Sequence, residues 1–95
     1  MIRSFADKET EKIFHQTFSK KIPQTIAKIA LRKLMMIDAA ECLNDLRVPP
    51  ANHLGQLSGD RKGEWSIRIN DQGSIVFTPS EDGRNFDDVE IIDDH

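Results

Sequence analysis

The first sign of chemistry is a polar row in an alternating run. From Glu64 to Asn70, Trp65, Ile67 and Ile69 share one face, and Ser66, Arg68 and Asn70 share the other. A strand with one solvated face can present such a row to a ligand. Arg68 could grip a phosphate through two donors of its planar guanidinium. The same pattern also describes an ordinary solvated sheet face with a surface ion pair. A second candidate closes the sequence as Asp93-Asp94-His95. Histidine titrates near neutrality and suits acid–base chemistry, and neighbouring carboxylates would raise its pKa. A frayed polar tail has the same composition.

Other chemistries find no support. There is no Gly-rich phosphate loop, no His-Glu-x-x-His and no Ser-nucleophile elbow. Cys42 is the only cysteine, so no internal disulfide or cysteine-based zinc cluster can form. His15 and His53 are too scattered to suggest a metal site. Cys42, Met35 and Met36 read as core filling on a helix.

The elements that must position these residues fit a chain of 95 residues, which predicts one domain over 1–95. No apolar stretch approaches the roughly 20 residues of a membrane span, and the N-terminus lacks a signal-peptide layout. These features predict a soluble cytoplasmic protein. Ile2 to Phe5 alternates and predicts a first strand joined to a later antiparallel sheet. Asp7 is placed to cap a helix reaching about residue 18, with Glu9 and Glu11 where the helix dipole favours them. Pro23 suits the first turn of a second helix, and Ile26, Ile29, Ala30, Leu34, Ile37 and Ala40 keep helical spacing. That helix is predicted over about 23–45, before Val48-Pro49-Pro50. Residues 51–63 read as a loop, with Gly59 and Gly63 as turn residues. Strands follow at 64–70, 74–78 and 86–92, with Val89 and Ile91 facing one way. Asp71-Gln72-Gly73 reads as a tight turn, with Gly73 at positive φ. The order gives a two-layer α+β domain, two N-terminal helices packed on a small antiparallel sheet.

Charge divides the chain. Residues 1–70 hold 12 Lys/Arg and 8 Asp/Glu, a balance of +4; residues 71–95 hold Arg84 and 8 acids, a balance of −7. The sum is the net −3. Overall acidity argues against a general nucleic-acid binder, while the split leaves a local basic surface possible.

The run from Leu57-Ser58-Gly59-Asp60-Arg61-Lys62-Gly63 through Glu64-Trp65-Ser66-Ile67-Arg68-Ile69-Asn70-Asp71-Gln72 closely resembles the signature of HigB-type toxins of the RelE superfamily. These are the killer components of type II toxin–antitoxin (plasmid maintenance) modules. The likeness extends to Met1-Ile2-Arg3-Ser4-Phe5, to Leu34–Leu46 and to the ending Val89–His95, where the family often has Asp-Tyr-His. The resemblance implies a RelE-like microbial ribonuclease fold and ribosome-dependent cleavage of mRNA, which inhibits translation. It implies no metal or other cofactor, and a helix-turn-helix antitoxin as partner. In such cleavage the ribose 2′-OH attacks the adjacent phosphorus, with a base, an acid and cations around it. By position, Arg68 would bind phosphate, and Asp93 and His95 would orient or transfer protons. Arg61 and Lys62 would steer RNA phosphates at the rim, and Asn70 would touch RNA.

The chain departs from that pattern in one region. After Asn-Asp-Gln the family usually continues Trp-Arg, and this chain has Gly73-Ser74. The tail aromatic is replaced by Asp94, and Ser58 stands where some relatives carry a catalytic lysine. Each change removes positive charge or RNA stacking. Two functions follow from the sequence: a weakened mRNA endonuclease, or an inactive toxin fold that binds its antitoxin and acts in transcriptional autoregulation.

Overall fold

A computed structural model describes residues 1–93. Two helices, α1 (Lys8–Phe14) and α2 (Gln24–Ala39), precede four strands: β1 (Gly55–Gln56), β2 (Trp65–Arg68), β3 (Gly73–Pro79) and β4 (Phe86–Asp93). The strands form one antiparallel sheet in the order β1-β2-β3-β4. The helices pack on one face, and Leu34, Ile37, Ile67, Ile75, Phe77, Phe86 and Val89 are fully buried between the layers. The two-layer α+β reading therefore holds.

Asp7 caps α1 as its position suggests, its carboxylate accepting from the Thr10 N–H at 2.7 Å. The helix ends sooner than the apolar stripe implies. Gln16 adopts φ 60°, and the Gln16 and Thr17 N–H groups turn back to the carbonyls of Ile13 and Lys12. This Schellman closure satisfies the last carbonyls at residue 14. It leaves Phe18 outside the helix and 68% exposed.

The second helix also stops early, at Ala39 rather than near residue 45. Ala40 is extended and buried, and the chain continues into a 3₁₀ turn at Leu43–Arg47. Asp38 near the helix end accepts a hydrogen bond from the Ile2 N–H at 3.0 Å. Two expected core residues lie at the surface. Cys42 leads into the 3₁₀ turn and is exposed, and Met35 lies on the outer side of α2 at 56% exposure. Met36 packs half-buried against the core.

Residues 51–63 are not simply loop, since β1 adds an edge strand there, antiparallel to β2. The N-terminal segment joins the sheet as expected, though through two isolated parallel bridges to β4 rather than as a full strand, Ile2 with Phe86 and Phe5 with Val89. The buried Thr10 hydroxyl then accepts from the Ile91 N–H, so the outer edge of β4 is covered along its length. Gly73 is likewise a buried strand residue without positive φ. The turn before it is built by Asn70, whose side-chain oxygen accepts from the N–H groups of Gln72 and Gly73, both at 2.8 Å. Gly59 and Gly63 do take positive φ, as turn residues.

Candidate functional site

The outer face of the sheet, opposite the helices, carries the polar row. Arg68 on β2 pairs with Ser74 on β3, which pairs with Ile92 on β4. One step along, Ser66 pairs with Val76 and Val76 with Glu90. Side chains alternate along each strand, so Ser66, Arg68, Ser74, Val76, Glu90 and Ile92 share this face. Arg68 is exposed, and it forms no ion pair among the described residues. Its alternation partners Ile67 and Ile69 are buried, which fixes the guanidinium on the solvent side.

Glu90 reaches this face because of an irregularity in β4. The register shifts by one residue between Val76 and Thr78 on β3, opposite Asp88, whose φ is 52°. The Asp88 N–H donates to Ser4 Oγ at 2.8 Å. Such a bulge inserts one residue and reverses the alternation beyond it. Phe86 and Val89, three positions apart, both enter the core, and Glu90 turns outward. With strict alternation Glu90 would share the face of Phe86.

Arg61 closes over the same face from the 3₁₀ turn Gly59–Arg61. Its Nη1 lies 3.2 Å from Glu64 Oε1 and 3.2 Å from Glu90 Oε1. One guanidinium nitrogen thus serves two carboxylates, and the Nε and Nη2 donors remain available to a phosphate. Lys62 beside it is exposed. The Asn70 carbonyl is taken by its turn, which leaves the amide nitrogen as its outward group. Asp93 ends β4 with its backbone paired to Gly73, one step from the Ser74–Ile92 pair. Asp94 and His95 lie outside the described residues.

Sequence reading found Arg68 and its face but not the Arg61–Glu64–Glu90 cluster. The available signal was the spacing of Phe86 and Val89, which strict alternation cannot bury together. Behind Gly73 the structure adds a cleft of about 220 Å³, walled by Ile22, Pro23, Ile26, Ile91 and Ile92, with Asp7, Glu9 and Lys21 also lining it. Hydrogen bonding by Ser19 and the nearby Lys12 hold the Glu9 carboxyl below its ordinary pKa. Among the described residues no three His, Cys, Asp or Glu side chains gather in a way that could hold a metal ion.

Residues 3–95 match the HigB-like toxin family, described as the RelE-like toxin of type II toxin-antitoxin system HigB. Toxin HigB-1 of Vibrio cholerae is 38% identical over 78 residues, covering 81% of this chain and 82% of that protein. An uncharacterized protein of Haemophilus influenzae is 49% identical over 57 residues, 60% of this chain and 56% of that protein's own length. Among solved structures, the YoeB-YefM complex from Staphylococcus aureus has a chain that superposes with a TM-score of 0.55 at 21% identity, covering 95% of this chain and 93% of that one. The YoeB/ParE toxin from Agrobacterium tumefaciens gives 0.54 at 16% identity, with 96% of each chain covered. At these identities the structural likeness speaks for the fold.

Proposed function

Since this chain belongs to the HigB-like family of RelE-like toxins of type II toxin–antitoxin systems, we propose that it cuts ribosome-bound mRNA and that the outer sheet face is where it does so. The observation that carries this reading is Arg68. It is an exposed guanidinium on a polar strand row, held outward by buried neighbours and not neutralised by any described carboxylate. An arginine so placed offers two parallel donors to a phosphate that gains charge in the transition state. Arg61 and Lys62 at the rim would steer the RNA, and the Asn70 amide would contact it. Asp93 and His95 would orient and transfer protons near the end of β4. The reaction has the 2′-oxygen attack phosphorus, which needs no metal when cations and proton-transfer groups surround it. A ribosome-bound substrate would put the protein in the cytoplasm. No described helix is long and apolar enough to cross a membrane.

The test is cleavage of a defined mRNA in a translating extract, with 5′ ends mapped. Arg68→Gln should lower the rate about 10²–10³-fold. Arg68→Lys should fall between the two, because it keeps the charge and loses the fork. An unchanged rate in Arg68→Gln would remove the site from this face.

The partner in this reading is a helix-turn-helix antitoxin encoded beside the toxin. One observation favours a second function, an inactive fold that binds that antitoxin and regulates transcription. Beside Arg68 on β3 stands Ser74, a hydroxyl where relatives place an arginine. Expression without antitoxin separates the two: growth arrest with cuts in translated frames supports the nuclease, and unimpaired growth supports the scaffold.

A further inference from the structure

We propose that Glu90 is the general base of this site, and that Arg61 is the positioning residue that holds it. The inference rests on the nuclease reading above. It starts from the bulge at Asp88, a non-glycine residue at φ 52°. Bulges re-aim side chains beside functional sites, and left-handed backbone at such a residue carries a conformational cost. Its effect is specific here, because it puts a carboxylate on the face of Arg68 while Phe86 and Val89 stay buried.

The spacing suits an RNA linkage. Glu90 lies two strands from Arg68 and one alternation step along, so the two Cα atoms are about 12 Å apart for strands ~4.8 Å apart and residues ~3.4 Å apart. Two long side chains reaching inward across that span leave room for one ribose and its phosphate. Glu90 is a quarter exposed, so solvent and substrate reach it. The charged groups facing it are Arg61 and Glu64 from the turn before β2, and Arg68 on the sheet. Arg61 fixes the carboxylate through Nη1 alone and keeps donors for the same phosphate.

The step balances as follows. The 2′-hydroxyl proton passes to the Glu90 carboxylate as the 2′-oxygen bonds to phosphorus. The bond from phosphorus to the 5′-oxygen breaks, and that oxygen takes a proton from water. The products are a 2′,3′-cyclic phosphate and a 5′-hydroxyl.

Glu90→Gln keeps the shape and the Arg61 contact and removes the basic oxygen. Single-turnover cleavage of ribosome-bound mRNA should fall about 10²–10⁴-fold with KM nearly unchanged. The limb in which the rate climbs with pH through the acid range should vanish. Glu90→Asp should restore part of both. Glu64→Gln removes the other carboxylate on Arg61 and should keep the wild-type pH profile, whereas a merely structural role for Glu90 predicts that both variants keep it. Equal effects of Glu90→Gln and Glu64→Gln, or an intact acid limb in Glu90→Gln, overturn the role of Glu90 while cleavage by the wild type keeps the nuclease reading. No cleavage by the wild type removes the nuclease reading and the base together.

Discussion

Changing Gly73-Ser74 to Trp-Arg should raise mRNA cleavage about 10²–10³-fold, the worth of one electrostatic donor at the reacting centre. The backbone already places both residues. Position 74 pairs directly with Arg68 and shares its face, so a second guanidinium there would meet the same phosphate. Two cations on adjacent strands repel modestly in the free protein, and a bound phosphate reverses that sign. Position 73 points the other way, toward the cleft behind the sheet. A Cβ there would sit 3.4 Å from the Ile92 carbonyl oxygen and 3.6 Å from Asn70 Oδ1, which is ordinary contact. The cleft of about 220 Å³, with its isoleucine and proline walls, can take an indole. Burying a large apolar side chain there should add about 1.5–3 kcal/mol of stability. The single variants should separate these effects: Ser74→Arg carries the rate, and Gly73→Trp carries the melting temperature. A double variant that is more stable and no faster would show that charge loss at position 74 does not limit this site.

The second large effect lies in the core. Lys33 on α2 is only 6% exposed, and its ammonium donates to the side-chain oxygen of Asn52, which is fully buried. The Asn52 amide in turn donates to the Leu46 carbonyl at 3.1 Å and the Val48 carbonyl at 3.4 Å. One residue thus satisfies a buried charge and ties down the segment that leads into β1. Asn52→Leu should cost about 3–5 kcal/mol, because it leaves an ammonium buried without its acceptor. Small domains hold only ~5–15 kcal/mol in total, so thermal unfolding should move down by well over ~10 °C. Lys33→Met in that background should recover most of the loss, since both halves of the polar contact are then gone.

The same lysine sets a pH dependence. Burial, with Arg32 nearby, pushes its pKa below the ordinary 10.5. Between the lowered value and 10.5 the unfolded chain binds more protons than the folded one. Stability of the wild type relative to Lys33→Met should therefore rise with pH through that window and level off above it. Denaturant unfolding of the pair across alkaline pH measures the slope. A flat difference would mean that the ammonium is not held at a cost.

The protein divides cleanly into what its sequence states and what its folding decides. Alternation in 64–70 was enough to set Arg68 outward over buried Ile67 and Ile69, because a strand has a period of two wherever it lies. Asp7, with its short acceptor before an amphipathic run, declared its cap for the same local reason. The signature around Gly59–Gln72 named the family, since those residues are a fixed string needing no contacts to be read.

Helix ends were not legible, because Gln16 closes α1 by backbone geometry and Ala39-Ala40 carries no stop signal. The orientation of the N-terminal segment came from its partner on β4 rather than from its own residues. Glu90 shows the difference most sharply. Counting by two from the buried Phe86 sends it into the core, counting from Val89 and Ile91 sends it outward, and the Asp88 bulge, supported by Ser4 from the far end of the chain, decides for the second. Local pattern fixes which way a side chain points within a regular element; a long-range contact decides where that regularity is broken.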